Sequence, residues 1–465
     1  MRFQSRVVLL GQRLSRWLPA PLRDALKRIP GMSRVYRTID GGVEVWDTPL
    51  LGQSHAAVEW PPRADISLHV APQERPESEI RCLLVTESLD AGGMDEFVAF
   101  LARRLPEFGV TASVMLAPTG VSRGPGPIAM DLMSDGIRVL DAAGRAAREL
   151  VELESPDIIA VHGNARWPLE VAKDLAIPAV LVLHGMHDLF DMPQHEILER
   201  YGMLSGVICV SEMVRRQYLL KSSLIDPASV LSIPNGIDRA RTRGVDRLAA
   251  RAALGLDKEF LFLSLSRHCL QKNNYGLVSA FDDVAQRVKD AHLLVCGRND
   301  DTAYTAQVAG LKERLSSSAR IHLRTNTRRT DVLLAAADAF VLDSFFEGWA
   351  LSSMEALVSG LPVILSDVGG AREQLTGGPP RGVMVTNPAG DPLTVDWESM
   401  ARWRFASQPN RQELVEAMQA VATGETPVAD PQTIATDAME RFDSTLCVSQ
   451  HAHALKAIVA GRRLT

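Results

Sequence analysis

Three short stretches of this 465-residue sequence bring together residue types that can hold a diphosphate and a polyhydroxylated group. The densest is Asp343-Ser-Phe-Phe-Glu347-Gly348-Trp349-Ala350-Leu351-Ser-Ser-Met-Glu355. The apolar run before it reads as a strand, a Gly-containing loop follows, and the pattern predicts a helix from Leu351 to Val358. Free amides of a helix start, here around Gly348, Trp349, Ala350 and Leu351, attract an anion because the first-turn donors and the helix dipole act together. Glu347 precedes that helix and Glu355 lies inside it, so the two carboxylates flank the site and can accept hydrogen bonds from sugar hydroxyls. Taken alone, they could equally be surface glutamates.

The second stretch is Ser266-Arg267-His-Cys-Leu-Gln-Lys272, directly after the apolar run 260–265. Arg267 offers a bidentate fork and Lys272 a point charge, a pair suited to neutralising a diphosphate; ordinary solvated charge is the alternative. The third is Leu89-Asp-Ala-Gly92-Gly93-Met-Asp95-Glu96, where two glycines let backbone approach a bulky anion. It is not the dinucleotide fingerprint. The nearest match to that, Gly124-Pro-Gly126 ending in Ala129, follows no strand, which argues against a nicotinamide enzyme. His184-Gly-Met-His187 follows the run 179–183, and a single histidine facing a cleft fits it better than a metal site. Neither a His-Glu-x-x-His frame nor an Asp-x-Asp pair is present, so no metal is expected.

These loops need elements to hold them. Short apolar runs at 82–86, 111–116, 157–161, 179–183 and 207–210 alternate with helical stretches. A second series follows at 260–264, 292–296, 320–323, 338–342 and 362–365. Strands alternating with helices imply parallel sheets, and non-alternating strands imply sheets covered on both faces. The fold expected is α/β, with two Rossmann-like doubly wound domains facing a cleft. The expected boundaries are 79–240 and 241–430, with Pro234-Asn-Gly-Ile-Asp238 leading into the second domain. Residues 387–410 read as an inserted loop, with helices near 410–422 and 443–460. The last of these falls within 431–465, where resemblance to a known family implies a helix crossing back to the first domain.

Residues 1–78 differ. The first 37 carry nine basic residues against one acid, with Leu10, Leu14, Trp17 and Leu18 at helical spacing. They read either as a cationic amphipathic segment on an anionic membrane surface or as a helical extension packed on the protein. Residues 38–78 read as a partly ordered linker. The net charge of −6, with 46% hydrophobic and 23% charged residues, gives no sign of a nucleic-acid partner. Five cysteines without C-x-x-C pairing read as buried reduced thiols, and hence point to a cytoplasmic protein. No apolar run reaches the length of a membrane span.

Together these motifs resemble glycosyltransferase family 4, retaining enzymes of the glycosyltransferase B fold, over about residues 81–380 and most densely at 338–374. The resemblance implies a metal-independent hexosyltransferase with a nucleotide-diphosphate sugar as co-substrate and no other cofactor. The acceptor implied is a glycan or glycolipid, as in surface-polysaccharide or lipopolysaccharide assembly. It gives Glu347 the transferred sugar, Glu355 the ribose, Arg267 and Lys272 the diphosphate, and His184 a place near the donor sugar. Gly92 and Gly93 become the loop that closes over the donor. Four positions depart from the family pattern: Ser266 and Asn273 in place of Gly around the Arg/Lys loop, Ala350 for the second Gly after Glu347, and Asp95 for the Glu after Gly-Gly. They leave room for a same-fold epimerase or phosphorylase, or for a non-catalytic sugar-nucleotide binder.

Overall fold

Runs such as Cys82-Leu-Leu-Val85 and Leu261-Phe-Leu263 have no polar face, so each needs cover on both sides. In the computed structural model they lie at the centres of two parallel sheets. The structure describes residues 49–51, 58–62, 79–90, 92–117, 126–142, 147–237 and 244–462. The basic segment 1–37, most of the linker to 78, and Asp238 lie outside the described residues.

The first sheet holds β1 (Ile80–Thr86), β2 (Val110–Leu116), β3 (Val139–Asp141), β4 (Ile158–His162), β5 (Ala179–Leu183), β6 (Gly206–Cys209) and β7 (Val230–Ser232), in the order β3-β2-β1-β4-β5-β6-β7. The second holds β8 (Phe260–Leu265), β9 (Ala291–Cys296), β10 (Ile321–Arg324), β11 (Ala339–Leu342), β12 (Val363–Ser366) and β13 (Gly382–Val385), in the order β10-β9-β8-β11-β12-β13. All pairings in both sheets are parallel. The strand order reverses between β1 and β4, and again between β8 and β11. Ligands of open parallel sheets bind beyond the carboxyl ends of the strands at such switch points, which is where the Gly-Gly, Arg/Lys and Glu347 loops emerge.

Three strands escape the sequence pattern. β3, β7 and β13 have only three or four residues, and β3 and β13 are edge strands with mostly half-exposed side chains. The stretch 387–410 is not simply a loop. It contains the helix Trp397–Trp403, started by a capping box in which the Asp396 side chain accepts from Ser399 N–H while the Ser399 hydroxyl meets the Asp396 backbone. Serine at the third position, where Glu or Gln is the usual signature, hides this start. A helix at Pro431–Arg441 precedes the last one, Ser444–Val459. That last helix packs on the first domain: Cys447, Val448, Ala452, Leu455 and Ile458 join the core built by Phe97, Leu101 and Val114.

Candidate functional site

The Glu347 loop follows β11 because Phe345 and Phe346 are buried and pull it down beside Val395 and Met400. Its position is fixed against the Arg/Lys loop after β8. Phe345 N–H donates to the Gln271 carbonyl at 2.9 Å, and the Gln271 amide donates to the Phe346 carbonyl at 3.2 Å. Lys272 Nζ then reaches Glu347 Oε1 at 2.5 Å, with both side chains largely buried. Arg267 is more exposed. Its guanidinium donates to Asp300 at 2.8 Å and to Gln271 Oε1 at 2.7 Å.

Below this pair lies a buried polar cluster that the sequence did not mark. Asn273 adopts the left-handed conformation, φ 50°, which is the conformation a glycine would supply at its position. Its side-chain amide donates to Asp343 Oδ2 and to Gln408 Oε1, both at 2.8 Å, while Asn410 donates to Asp343 Oδ1 at 2.7 Å. Burial drives the Asp343 carboxyl up to about 8 against the opposing pull of the two amides. The replacement of glycine by Asn273 thus keeps the backbone shape and adds a tie between two loops.

The helix Leu351–Val358 starts where the sequence places it. Its N-cap, Ala350, contributes no side-chain hydrogen bond, so the first-turn amides are not capped by that residue's side chain. The Trp349 side chain is turned into the core, against Phe442 with ring centroids 5.6 Å apart, so what Trp349 can offer a ligand is its backbone. Glu355, half-buried, lines a cavity of about 320 Å³ with Glu96, Phe97, Arg103, Arg104 and Leu351.

The first domain meets the Glu347 loop and the helix start through uncharged groups. A Cβ on Gly93 would stand 3.5 Å from Leu351 Cδ1, so the Gly-Gly loop faces the helix start across the cleft. A Cβ on Gly348 would overlap the His184 carbonyl oxygen; only glycine lets these two backbones meet. Asp95 is buried and turned back to its own loop, accepting from Asp90 N–H at 3.0 Å. The His184 ring stacks on His162 with centroids 5.2 Å apart, and Phe97 meets it edge-on at 5.4 Å. His451, from the last helix, contacts the same Phe97. Burial pushes His184 down to about 3 and His451 to about 4, and holds His162 well below the usual imidazole range. Among the described residues no cluster of three or more His, Cys, Asp or Glu could hold a metal ion.

Arg267, Lys272 and Glu347 therefore stand together through Gln271 and the ion pair, the neighbouring Gly348 meets the His184 backbone, and Gly93 meets Leu351. Sequence reasoning missed His162, Asp300, Asp343 and Asn410. His162 alone had a signal: it is the polar end of the apolar run 158–161.

A family model for "Glycosyl transferases group 1" matches residues 246–393, and one for "Glycosyltransferase Family 4" matches residues 91–241. Together they take in every strand of the two sheets except β1. The chain is a family 4 glycosyltransferase. The alpha-maltose-1-phosphate synthase of Mycobacterium tuberculosis is 28% identical over 268 residues, 51% of this chain and 67% of that protein. The alpha-monoglucosyldiacylglycerol synthase of Streptococcus pneumoniae is 30% identical over 220 residues, 42% of this chain and 47% of that one. An Escherichia coli galactosyltransferase acting from UDP-Gal on GlcNAc-diphosphoundecaprenol is 25% identical over 244 residues, 48% of this chain and 60% of the enzyme. The chain thus spans about half to two-thirds of the length of these relatives. Anabaena HepE, solved with UDP and glucose, superposes with TM-score 0.66 at 18% identity, covering 82% of this chain and all of that one. At that identity the likeness is one of fold, and it is the glycosyltransferase B fold.

Proposed function

We propose that this glycosyltransferase moves a hexose-type sugar, with retention at the anomeric carbon, from a nucleotide-diphosphate sugar to a glycan or lipid-linked glycan. The observation that carries the reading is the Lys272–Glu347 pair, held beside the helix start at Leu351 and facing His184 and Gly93. As the bond from the anomeric carbon to the diphosphate oxygen breaks, positive charge grows on the sugar and negative charge on the leaving group. Lys272, Arg267 and the amides after Gly348 meet that negative charge, a preorganised stabilisation that acts most strongly in the transition state. Glu347 accepts from sugar hydroxyls and holds Lys272. Glu355 accepts from the ribose. A leaving phosphate oxygen takes the proton of the acceptor hydroxyl as the new C–O bond forms on the same face. No metal takes part.

The UDP and glucose bound by the Anabaena neighbour support a uridine nucleotide as the first donor to try, and the undecaprenol-linked substrate in the name of the E. coli relative supports a lipid-linked acceptor. No helix among the described residues is long and apolar enough to cross a membrane, so contact with the inner face of the cytoplasmic membrane would fall to residues 1–37.

The test is a thermal-shift screen of sugar nucleotides, since a ligand that binds only the native state raises its apparent stability. Assay of the best donor with diphosphoundecaprenol-linked glycans follows, with and without EDTA. Label transferred to acceptor, insensitive to EDTA, is the expected result. Donor consumed without acceptor to give an epimer, or donor bound and never transferred, would refute the reading.

A further inference from the structure

His162 closes β4 at the carboxyl edge of the first sheet, and His184 follows β5, the neighbouring strand. Their rings are joined by a hydrogen bond of 2.9 Å between His162 Nδ1 and His184 Nε2. A neutral imidazole carries one N–H, so whichever ring donates fixes the tautomer of both. We propose that His162 is a positioning residue: its Nδ1–H donates to His184 Nε2, which holds His184 as the Nδ1–H tautomer and presents an N–H donor to an oxygen of the bound sugar nucleotide. The ligand contact rests on the donor-site reading above; the tautomer does not.

The asymmetry of the two surroundings decides the direction. His162 is 1% exposed, and its Nε2 is buried with no hydrogen-bond partner. Were His184 the donor, His162 would have to carry its proton on that Nε2. A buried N–H would then be orphaned, the rarer of the two ways of leaving a polar group unpaired in a core. With His162 as donor, the atom left without a partner is a lone pair. His184 is half-buried; its Nδ1 makes no hydrogen bond among the described residues and is not among the buried atoms. The inferred N–H therefore has space for a ligand oxygen. Phe97 set edge-on against His184 limits ring rotation. Burial keeps both rings neutral, so each retains one proton to place.

Long-range 15N–1H spectra of the full-length, histidine-labelled protein read the tautomer without any ligand, with His184→Gln assigning the signal. Nδ1–H at His184 is expected; Nε2–H overturns the inference. Turnover of UDP-glucose supplies the second readout. His162→Asn places an amide donor near the original Nδ1 and should keep kcat/KM within about threefold. His162→Phe fills the space without a donor and should lose about tenfold, the worth of one hydrogen bond, at similar unfolding midpoints. A folded His162→Phe with wild-type kcat/KM also overturns the inference, and equal losses in the two variants would mark a packing role alone. If His184 shows Nδ1–H but His184→Ala turns UDP-glucose over normally, the donor-site reading fails and the tautomer assignment stands.

Discussion

The two domains share a sheet plan and bring opposite chemistry to the cleft. The second contributes the charged groups: Arg267, Lys272, Glu347 and Glu355, on loops laced to one another by hydrogen bonds. The first meets the Glu347 loop with a glycine pair, a backbone carbonyl and neutral imidazoles, and its charged groups Glu96, Arg103 and Arg104 stand apart, in the cavity beside Glu355. The difference follows from what each must do. A diphosphate has to be neutralised where its charge grows, which takes fixed cations and helix amides. A sugar has to be oriented by groups that neither repel nor trap the charge.

Removing Lys272 strikes the charged side hardest. Lys272→Ala should cost about 10²–10³ in kcat. It also leaves Glu347, 8% exposed, as a buried charge without its partner, at about 3–5 kcal/mol of stability. The buried pair thus couples the loss of transfer to a loss of stability. Combining Lys272→Met with Glu347→Gln should restore the unfolding midpoint and leave turnover absent, which separates the pair's two roles. Where the two sides meet, the largest effect belongs to Gly348→Ala. Its methyl would drive the Glu347 loop away from the His184 carbonyl, and a displacement near 1 Å costs about 10² in rate. Equal activity of Gly348→Ala and wild type in a UDP-glucose assay would mean that the domains do not meet this way during turnover.

The charged half was the more legible in sequence. Glu347 and Glu355 straddle a helix start, Arg267 and Lys272 follow a strand, and local chemistry of that kind survives in a one-dimensional string. The last helix was legible in the pattern too, and its crossing to the first domain came from the family resemblance. The partners of Asp343 were not. Its amide donors Asn273 and Asn410 stand 70 and 67 positions from it, on either side in the chain, and the packing of the helix Arg411–Thr423 against Asn274–Arg287 brings them together. His162 and His184 are likewise invisible as a pair until β4 and β5 lie side by side. The edge strands β3, β7 and β13 were lost for a simpler reason, since three or four residues carry too little pattern.

Asn273 sharpens the comparison within the charged half. Asn273→Gly keeps the left-handed backbone but strips the tie to Asp343 and Gln408, leaving buried groups short of a partner at about 1–3 kcal/mol. Lys272 is the next residue, so KM for UDP-glucose should rise while kcat changes less. Asn273→Ala should be worse, because it adds the αL cost of about 1–2 kcal/mol. An unchanged KM in Asn273→Gly would reduce the cluster to a stability device.

The smallest effect expected is a slope. The Asp343 carboxyl is raised in the fold to about 8, whereas in the unfolded chain it titrates near 4 (about 3.9). Between those values the folded state binds the extra proton, so stability falls as pH rises. The contribution is fully present below about pH 4 and lost as pH passes through about 8. Urea midpoints of wild type should therefore decline from about pH 7 to about pH 8, and Asp343→Asn, which cannot ionise, should flatten that decline. The buried imidazoles of His162, His184 and His451 act in the opposite sense: held down in the fold and titrating at about 6.5 in the unfolded chain, they make stability rise with pH up to about 6.5 and add nothing above it. If Asp343→Asn keeps the full wild-type slope, the carboxylate is ionised in the fold, and its two amide donors outweigh the cost of burying it.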